Sequence, residues 1–321
     1  MSDHATLRDA ILYFAEFENC RQFMIQLRWP DGVVKCPECG SEKVTWLEKP
    51  RVWKCYANHP KPRFSLKTGT IFEDSPIGLE KWLPAAWMLM NCKNGISSYE
   101  LHRALGVTQK TAWFMLQRIR LAMQDDLTGG MLGGEVEVDE TYIGGKVRNM
   151  HKDRKLEVQK INRNTGNKTV VLGILERASE KKTKRVRATV VSDRKKETMQ
   201  AEVAGVVEKG TKVYSDDYGH QWKMDDRFEH EMVDHLSEYV RDNVHTNGME
   251  NFWSLLKRGL HGTYVAVEPF HLFRYVDEQA FRFNNRESDD LHRFVTGMRQ
   301  CVGRRLTYAE LTGKAEVTTH G

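Results

Sequence analysis

The sequence is short of several things, and each shortage removes a class of protein. No apolar run approaches the roughly 18 residues that a membrane-spanning helix needs, so no span is expected. The opening stretch, MSDHATLRDAILYFAEFENC, alternates charged and apolar positions and lacks the pattern of a secretory signal, which points to the cytoplasm. Cysteines number six, too few and too unevenly spread for a disulfide framework. Three of them fall between positions 36 and 55, a crowding that suits a metal ion in a reducing compartment. Internal repeats and low-complexity tracts are missing. Excess charge is scarce as well: the formal net charge is +5, so any basic surface must come from clustering. What is there, 40% hydrophobic and 29% charged residues over 321 positions, describes a globular chain with room for two or three domains.

Ile11, Leu12, Phe14, Phe17, Phe23, Met24 and Leu27 recur at helical spacing, predicting one or two short helices with Cys20 as a small buried apolar residue. Trp29-Pro30-Asp31-Gly32 then makes a turn. It leads into Cys36-Pro37-Glu38-Cys39, a knuckle whose two thiolates can share one tetrahedral Zn²⁺. Cys55 follows a strand-like run, as a zinc ribbon requires. Asn58 stands where a second C-x-x-C would end, and His59 beside it offers an imidazole nitrogen. A Cys₃His site of Cys36, Cys39, Cys55 and His59 is the expected ligand set. Further on, Ser97 and Glu100 have capping-box spacing, Gly106 ends a short helix and Thr108 caps the next, through Met123. That succession is a helix-turn-helix and equally an ordinary three-helix bundle. In the former, Gln109, Lys110 and Thr111 would meet base edges or phosphates. The glycine-rich stretch 125–134 marks a domain boundary.

Beyond it strand patterns take over: 135–143 with Asp139 inside, 170–175, 186–191, then a helix at 197–208 and a short strand ending in Asp216-Asp217. HTNGMENFWSLLKR, 245–258, opens on Thr246 as a candidate N-cap and puts Asn247, Glu250 and Lys257 on one helical face. The same spacing suits a plain amphipathic helix burying Met249, Phe252, Trp253 and Leu256. Three antiparallel strands, a helix, a fourth strand and this helix are the order of an RNase H-like fold. The expected class is α+β multi-domain: an N-terminal zinc ribbon and helix-turn-helix followed by an RNase H-like α/β catalytic domain. The expected segments are a helical start at 1–30, the ribbon at 31–76, the helix-turn-helix region at 77–126, the catalytic domain at 134–295 and a tail at 296–321. Asp139, Asp216 and Glu250, followed by Lys257, form a set able to hold two Mg²⁺ or Mn²⁺ ions about 3.5–4 Å apart for phosphodiester chemistry. Asp193 and Asp217 are competing candidates of lower rank. Residues 146–168 carry eight Lys/Arg against two acids, a loop able to neutralise phosphates. Glu278, Arg282 and Arg286 recur every four residues, as an ion-pair ladder or, for the two arginines, as phosphate contacts.

Val138-Asp139-Glu140-Thr141-Tyr142-Ile143-Gly144-Gly145, Tyr214-Ser215-Asp216 and the 245–258 segment resemble the signature segments of the ISXO-like, zinc-ribbon-headed insertion-sequence transposases. Cys20, Arg28-Trp29-Pro30-Asp31-Gly32 and Gly69-Thr70-Ile71-Phe72 resemble that family too, so the likeness covers nearly the whole chain. It implies that Asp139 and Asp216 bind metal and that Lys257 contacts DNA, with Arg258 beside it. Family members carry either Asn or Glu as third ligand, and here Asn247 and Glu250 are both present. Glu250 is preferred, because carboxylate is the stronger Mg²⁺ ligand and its spacing to Lys257 matches a DDE-type site. The departure is the second C-x-x-C, replaced here by Cys55-Tyr56-Ala57-Asn58-His59. The implied function is a DNA transposase that binds terminal inverted repeats and joins cut ends to target DNA, acting as a homo-oligomer. A nuclease without strand transfer and a transposase-derived DNA-binding protein are the alternatives.

Overall fold

The computed structural model describes residues 6–124, 129–144, 168–179, 183–216, 226–233 and 246–314, with Asp216 and Val233 described by their backbone alone. The chain divides into two compact units, Met1–Gln124 with Glu287–Gly321, and Asp125–Arg286. Asp217, most of the basic 146–168 loop and His245 lie outside the described residues.

The first unit opens with helices α1 (Leu7–Phe14) and α2 (Phe17–Arg28). Thr6 and Asp9 close a reciprocal capping box on α1, satisfying amides that its first turn would otherwise leave without partners. A small antiparallel sheet follows, β1 (Val44–Leu47), β2 (Val52–Cys55) and β3 (Arg63–Phe64). Its aromatic face is built on Trp53, with Trp46 at 4.4 Å, Phe64 stacked at 5.7 Å and Trp29 edge-on at 6.0 Å. Arg28, at the end of α2, donates to the carbonyls of Leu66 (2.7 Å) and Thr68 (2.8 Å), so its guanidinium ties α2 to the turn after the sheet. Helix α3 (Leu79–Asn91) is buried on nearly every side from Trp82 to Met90, as a central helix must be. Next come α4 (Ser98–Leu105), with the expected Ser97–Glu100 capping box, and α5 (Gln109–Ala122), capped by Thr108. Gly106 turns between them in the left-handed region at φ +61°, where a side chain would be strained.

The second unit is a five-stranded mixed sheet in the order β6-β5-β4-β7-β8. Strands β4 (Glu135–Ile143), β5 (Thr169–Glu176) and β6 (Arg185–Val191) form an antiparallel meander. Helix α6 (Lys196–Val206) then leads to β7 (Lys212–Asp216), which runs parallel to β4, and β8 (Glu229–Val233) runs parallel to β7. This is the succession of strands and helices expected from the sequence, with β8 beside β7. Strand alternation sends Val136 and Val138 to one face, where they pack with Met199 and Val203 of α6. The other face is covered by α7 (Asn247–Gly259) and α8 (Leu272–Asn284), which pack Met249, Phe252, Trp253, Val276 and Phe283 onto Val171 and Leu175. The Asn284 side-chain amide exchanges hydrogen bonds with both backbone groups of Val186, fastening α8 over the edge strand β6.

The chain rejoins the first unit at Glu287, whereas the sequence reading runs the catalytic domain to 295 and makes 296–321 a tail. Helix α9 (Asp290–Arg299) inserts the fully buried Phe294 among Phe14, Phe23 and Trp87, with ring centroids 5.1–5.8 Å apart. Leu306 and Leu311, the latter on α10 (Tyr308–Leu311), are buried as well. Among the described residues no helix is long and apolar enough to cross a membrane.

Candidate functional site

Two clusters stand out, a group of metal-ligating side chains in the first unit and a group of carboxylates in the second. In the first unit the knuckle turns at Gly40, φ +71°, whose N–H bonds back to the Cys36 carbonyl at 2.8 Å. That turn brings Cys36 and Cys39 to Cys55 at the end of β2 and to His59, with all four ligand atoms within 4.8 Å of one another. The Cys39 and Cys55 sulfurs are 3.7 Å apart, and Cys36 Sγ lies 3.5 Å from His59 Nε2. A tetrahedral Zn²⁺ with bonds of about 2.3 Å to sulfur and 2.0–2.1 Å to nitrogen sets about 3.8 Å and about 3.5 Å for those separations. The four residues therefore fit structural zinc, with His59 in the place of a fourth cysteine. Burial disfavours the Cys55 thiolate, but hydrogen bonds from the Ala57 N–H and from His59 and the neighbouring thiols outweigh it and pull the thiol down to about 7.

The second group lies where α7 crosses β4 and β5. Glu137 and Asp139 stand two residues apart on β4 and share the face that α7 covers. Glu137 is fully buried; one oxygen accepts the Met249 N–H at 3.0 Å and the other accepts from Arg177 Nε at 3.0 Å. The strand thus caps α7. Thr246, at the N-cap position, makes no side-chain cap bond, contrary to the sequence expectation. Two residues further along β4, Asp139 Oδ2 accepts the Trp253 indole N–H at 2.8 Å. Four helical residues span about 6 Å and two strand residues about 6.7 Å, so helix and strand keep step between these bonds. Close approach is allowed by two glycines. A Cβ on Gly248 would meet Glu137 at 2.8 Å, and one on Gly173 would meet Met249 at 2.1 Å and the Trp253 ring at 2.7 Å.

Asp216 ends β7. Val138 pairs with Ser215 across the parallel β4–β7 ladder, so Asp139 and Asp216 are the next residues on neighbouring strands. Asn247 and Glu250 are exposed on the first turn of α7, and Lys257 is half-buried near its end. Phe252, on the flank of α7 turned to α8, packs edge-on against Phe283 at 5.6 Å. At 100° per residue Glu250 lies about 160° round the helix from Phe252, on the flank away from α8.

The remaining candidates fare differently. Arg282 is buried and ion-paired with the fully buried Glu278, which also accepts from Tyr264; the structure thus shows the intrahelical pair of the expected ladder. Arg286 is exposed but donates to the Lys184 and Phe283 carbonyls. Arg258 is exposed on α7. Gln109 donates to Ser98 Oγ at 2.7 Å, and the Lys110 ammonium sits 4.8 Å over the Tyr308 ring. Helix α5 is buried from Met115 to Arg120, which leaves its first turn as the part open to a partner. Asp193 accepts the Lys195 N–H and the Thr198 hydroxyl, holding the turn that leads into α6. Sequence reasoning missed Glu137, Gly173, Arg177 and the polar role of Trp253. The one signal was the alternation Glu135, Glu137, Asp139, which lines acids along one face of a strand.

Residues 131–284 match the family model of the ISXO2-like transposase domain, and residues 18–57 match that of the transposase zinc-ribbon domain. The second match ends before His59, so that ligand rests on its place in the sequence and on the geometry of the cluster. A protein of Halobacterium salinarum, described as an uncharacterized protein in transposable element ISH50, is 28% identical over 270 residues, 77% of this chain and 84% of that relative. Both matches and this relative point to one class, the insertion-sequence transposases. Within that class the chain is similar to the zinc-ribbon-headed, ISXO2-like proteins, carrying both of their matched domains.

Proposed function

We propose that this protein cleaves DNA at the ends of its own insertion sequence and joins the 3′ ends to target DNA, in a site on an RNase H-like domain. Asp139, Asp216 and Glu250 would hold divalent metal. The observation that carries the reading is the register of β4 and β7, which follows the pair Val138–Ser215 with Asp139 and Asp216 on adjacent strands. The donor set is all oxygen, which suits hard Mg²⁺ or Mn²⁺. Two such ions supply Lewis-acid stabilisation of attacking and leaving oxygens in phosphodiester displacement.

The helix geometry favours Glu250 over Asn247 as third ligand. Glu250 is about 60° round the helix from Trp253, which touches Asp139, and about 4.5 Å back along its axis. Asn247 is about 120° round and about 9 Å back. Lys257, about 40° from Trp253 on the same flank, would meet a DNA phosphate as a point charge, with Arg258 beside it. The zinc ribbon and the first turn of α5, with Gln109 and Lys110, would bind the terminal inverted repeats. Cutting two ends in one complex calls for a homo-oligomer.

The test is cleavage and strand transfer of an oligonucleotide carrying the element end, with Mg²⁺ or Mn²⁺. Asp139→Asn and Asp216→Asn should each lower the rate by on the order of 10³-fold, as removal of a group that stabilises transition-state charge does. Both should still bind the oligonucleotide. Full activity in either variant would remove that aspartate from the site, and cleavage without joining would make the protein a nuclease.

A further inference from the structure

Glu137 and Asp139 sit on one face of β4, two residues apart, yet meet different donors. Glu137 faces a guanidinium, Arg177, which neutralises it in the interior. Asp139 faces the indole N–H of Trp253, a donor that carries no charge and does not ionise. The second Asp139 oxygen accepts the backbone N–H of Glu140 at 2.8 Å, again a neutral donor. Two hydrogen bonds, one to each oxygen, set the rotamer of this carboxylate. The indole is itself fixed: it is 5% exposed and lies against Phe252 at 5.2 Å. Its six-membered ring also lies over Gly173. Gly173 is the cross-strand partner of Asp139, so the missing Cβ is directly opposite the carboxylate. Any side chain at position 173 would lift the indole off the sheet and draw its N–H away from Asp139.

We propose that Trp253 is the positioning residue for Asp139, orienting its carboxylate toward divalent metal from a seat that Gly173 provides. The proposal rests on Asp139 being a metal ligand. Outer partners that orient a ligand typically change metal affinity by about 10–100-fold when removed.

The experiment uses the full chain labelled with ¹⁵N-tryptophan, in which eight indole N–H signals are expected. The Trp253 signal is assigned by its loss in Trp253→Phe and, independently, by its displacement in Asp139→Asn. In the wild-type protein Mn²⁺ should broaden this signal ahead of the other indoles, and Mg²⁺ should shift it. Mn²⁺ affinity, read from the electron paramagnetic resonance of the free ion, should fall about 10–100-fold in Trp253→Phe and be lost in Asp139→Ala. Gly173→Ala, which keeps the indole but displaces it, should weaken binding as Trp253→Phe does and serves if that variant does not fold. Wild-type Mn²⁺ affinity in Trp253→Phe or Gly173→Ala, with Asp139→Ala deficient, would overturn the role of Trp253 and leave the ligand role of Asp139 standing. Wild-type affinity in Asp139→Ala would overturn the ligand role itself.

Discussion

The zinc cluster and the acidic cluster are built on different plans. Cys36 and His59 are 23 positions apart, and the cluster closes through a knuckle and one short hairpin. Asp139 and Trp253 are 114 positions apart, and their meeting requires a strand, a helix and two glycines to coincide. The first cluster is a closed set of four ligands in which the cation is part of the fold. The second is held together by hydrogen bonds and ion pairs of its own, with Glu250 and Asn247 on the exposed side of α7. A local metal site therefore depends on its ion for structure, whereas a site assembled on a sheet should keep its shape without one.

That contrast predicts its own largest effect. Structural zinc contributes on the order of 10–16 kcal/mol of apparent binding energy in small domains. Cys55→Ser, or treatment with a strong chelator, should release one zinc per chain, unfold the ribbon and abolish binding of the element ends. Metal analysis and circular dichroism read it, and a ribbon that keeps its fold and end binding without zinc would break the contrast. His59→Ala should lose zinc as well; zinc retained unchanged there would mean a different fourth ligand.

The acidic site should respond in rate and not in fold. Glu250→Gln is expected to lower cleavage by on the order of 10³-fold, with an unchanged melting curve. Asn247→Ala should lose only about 10-fold, as an outer partner does, with partial rescue by excess Mn²⁺. The reverse order would make the site of the Asp-Asp-Asn kind.

Arg282→Ala sharpens the distinction between cation types in this unit. Breaking its buried pair with Glu278 should cost about 3–5 kcal/mol, seen as a lower Tm in thermal unfolding. DNA affinity measured below that transition should be unaltered, and a selective loss of affinity would return Arg282 to the interface. The smallest effect is expected from Lys257→Ala. It should weaken DNA binding evenly across sequences and reduce the slope of log affinity against log salt by about one.

Much of the architecture could be read from periodicity and spacing, because those signals are local. The capping box at Ser97, the turn at Gly106 and the strand alternation around Asp139 each concern residues within a turn or two of one another. Burial is not local, and there the reading diverged. A helix at 109–122 following a turn looks the same whether it lies on a surface or in a core, and α5 is buried through Arg120. Residues 287–314 belong to the first unit because Phe294 finds its cavity there, a fact no linear pattern encodes.

By itself, the sequence determined the zinc ligands, since a knuckle and a hairpin leave little freedom over so short a loop. It also determined which elements carry Asp139, Asp216 and Glu250. Tertiary structure alone decided that Glu137 caps α7 from another element, that Arg282 lies inside, and that Trp253 gives its N–H to Asp139. Residue type states what a side chain can donate or accept. Which partner it meets across more than a hundred positions depends on which faces are covered and where glycine lets two backbones approach.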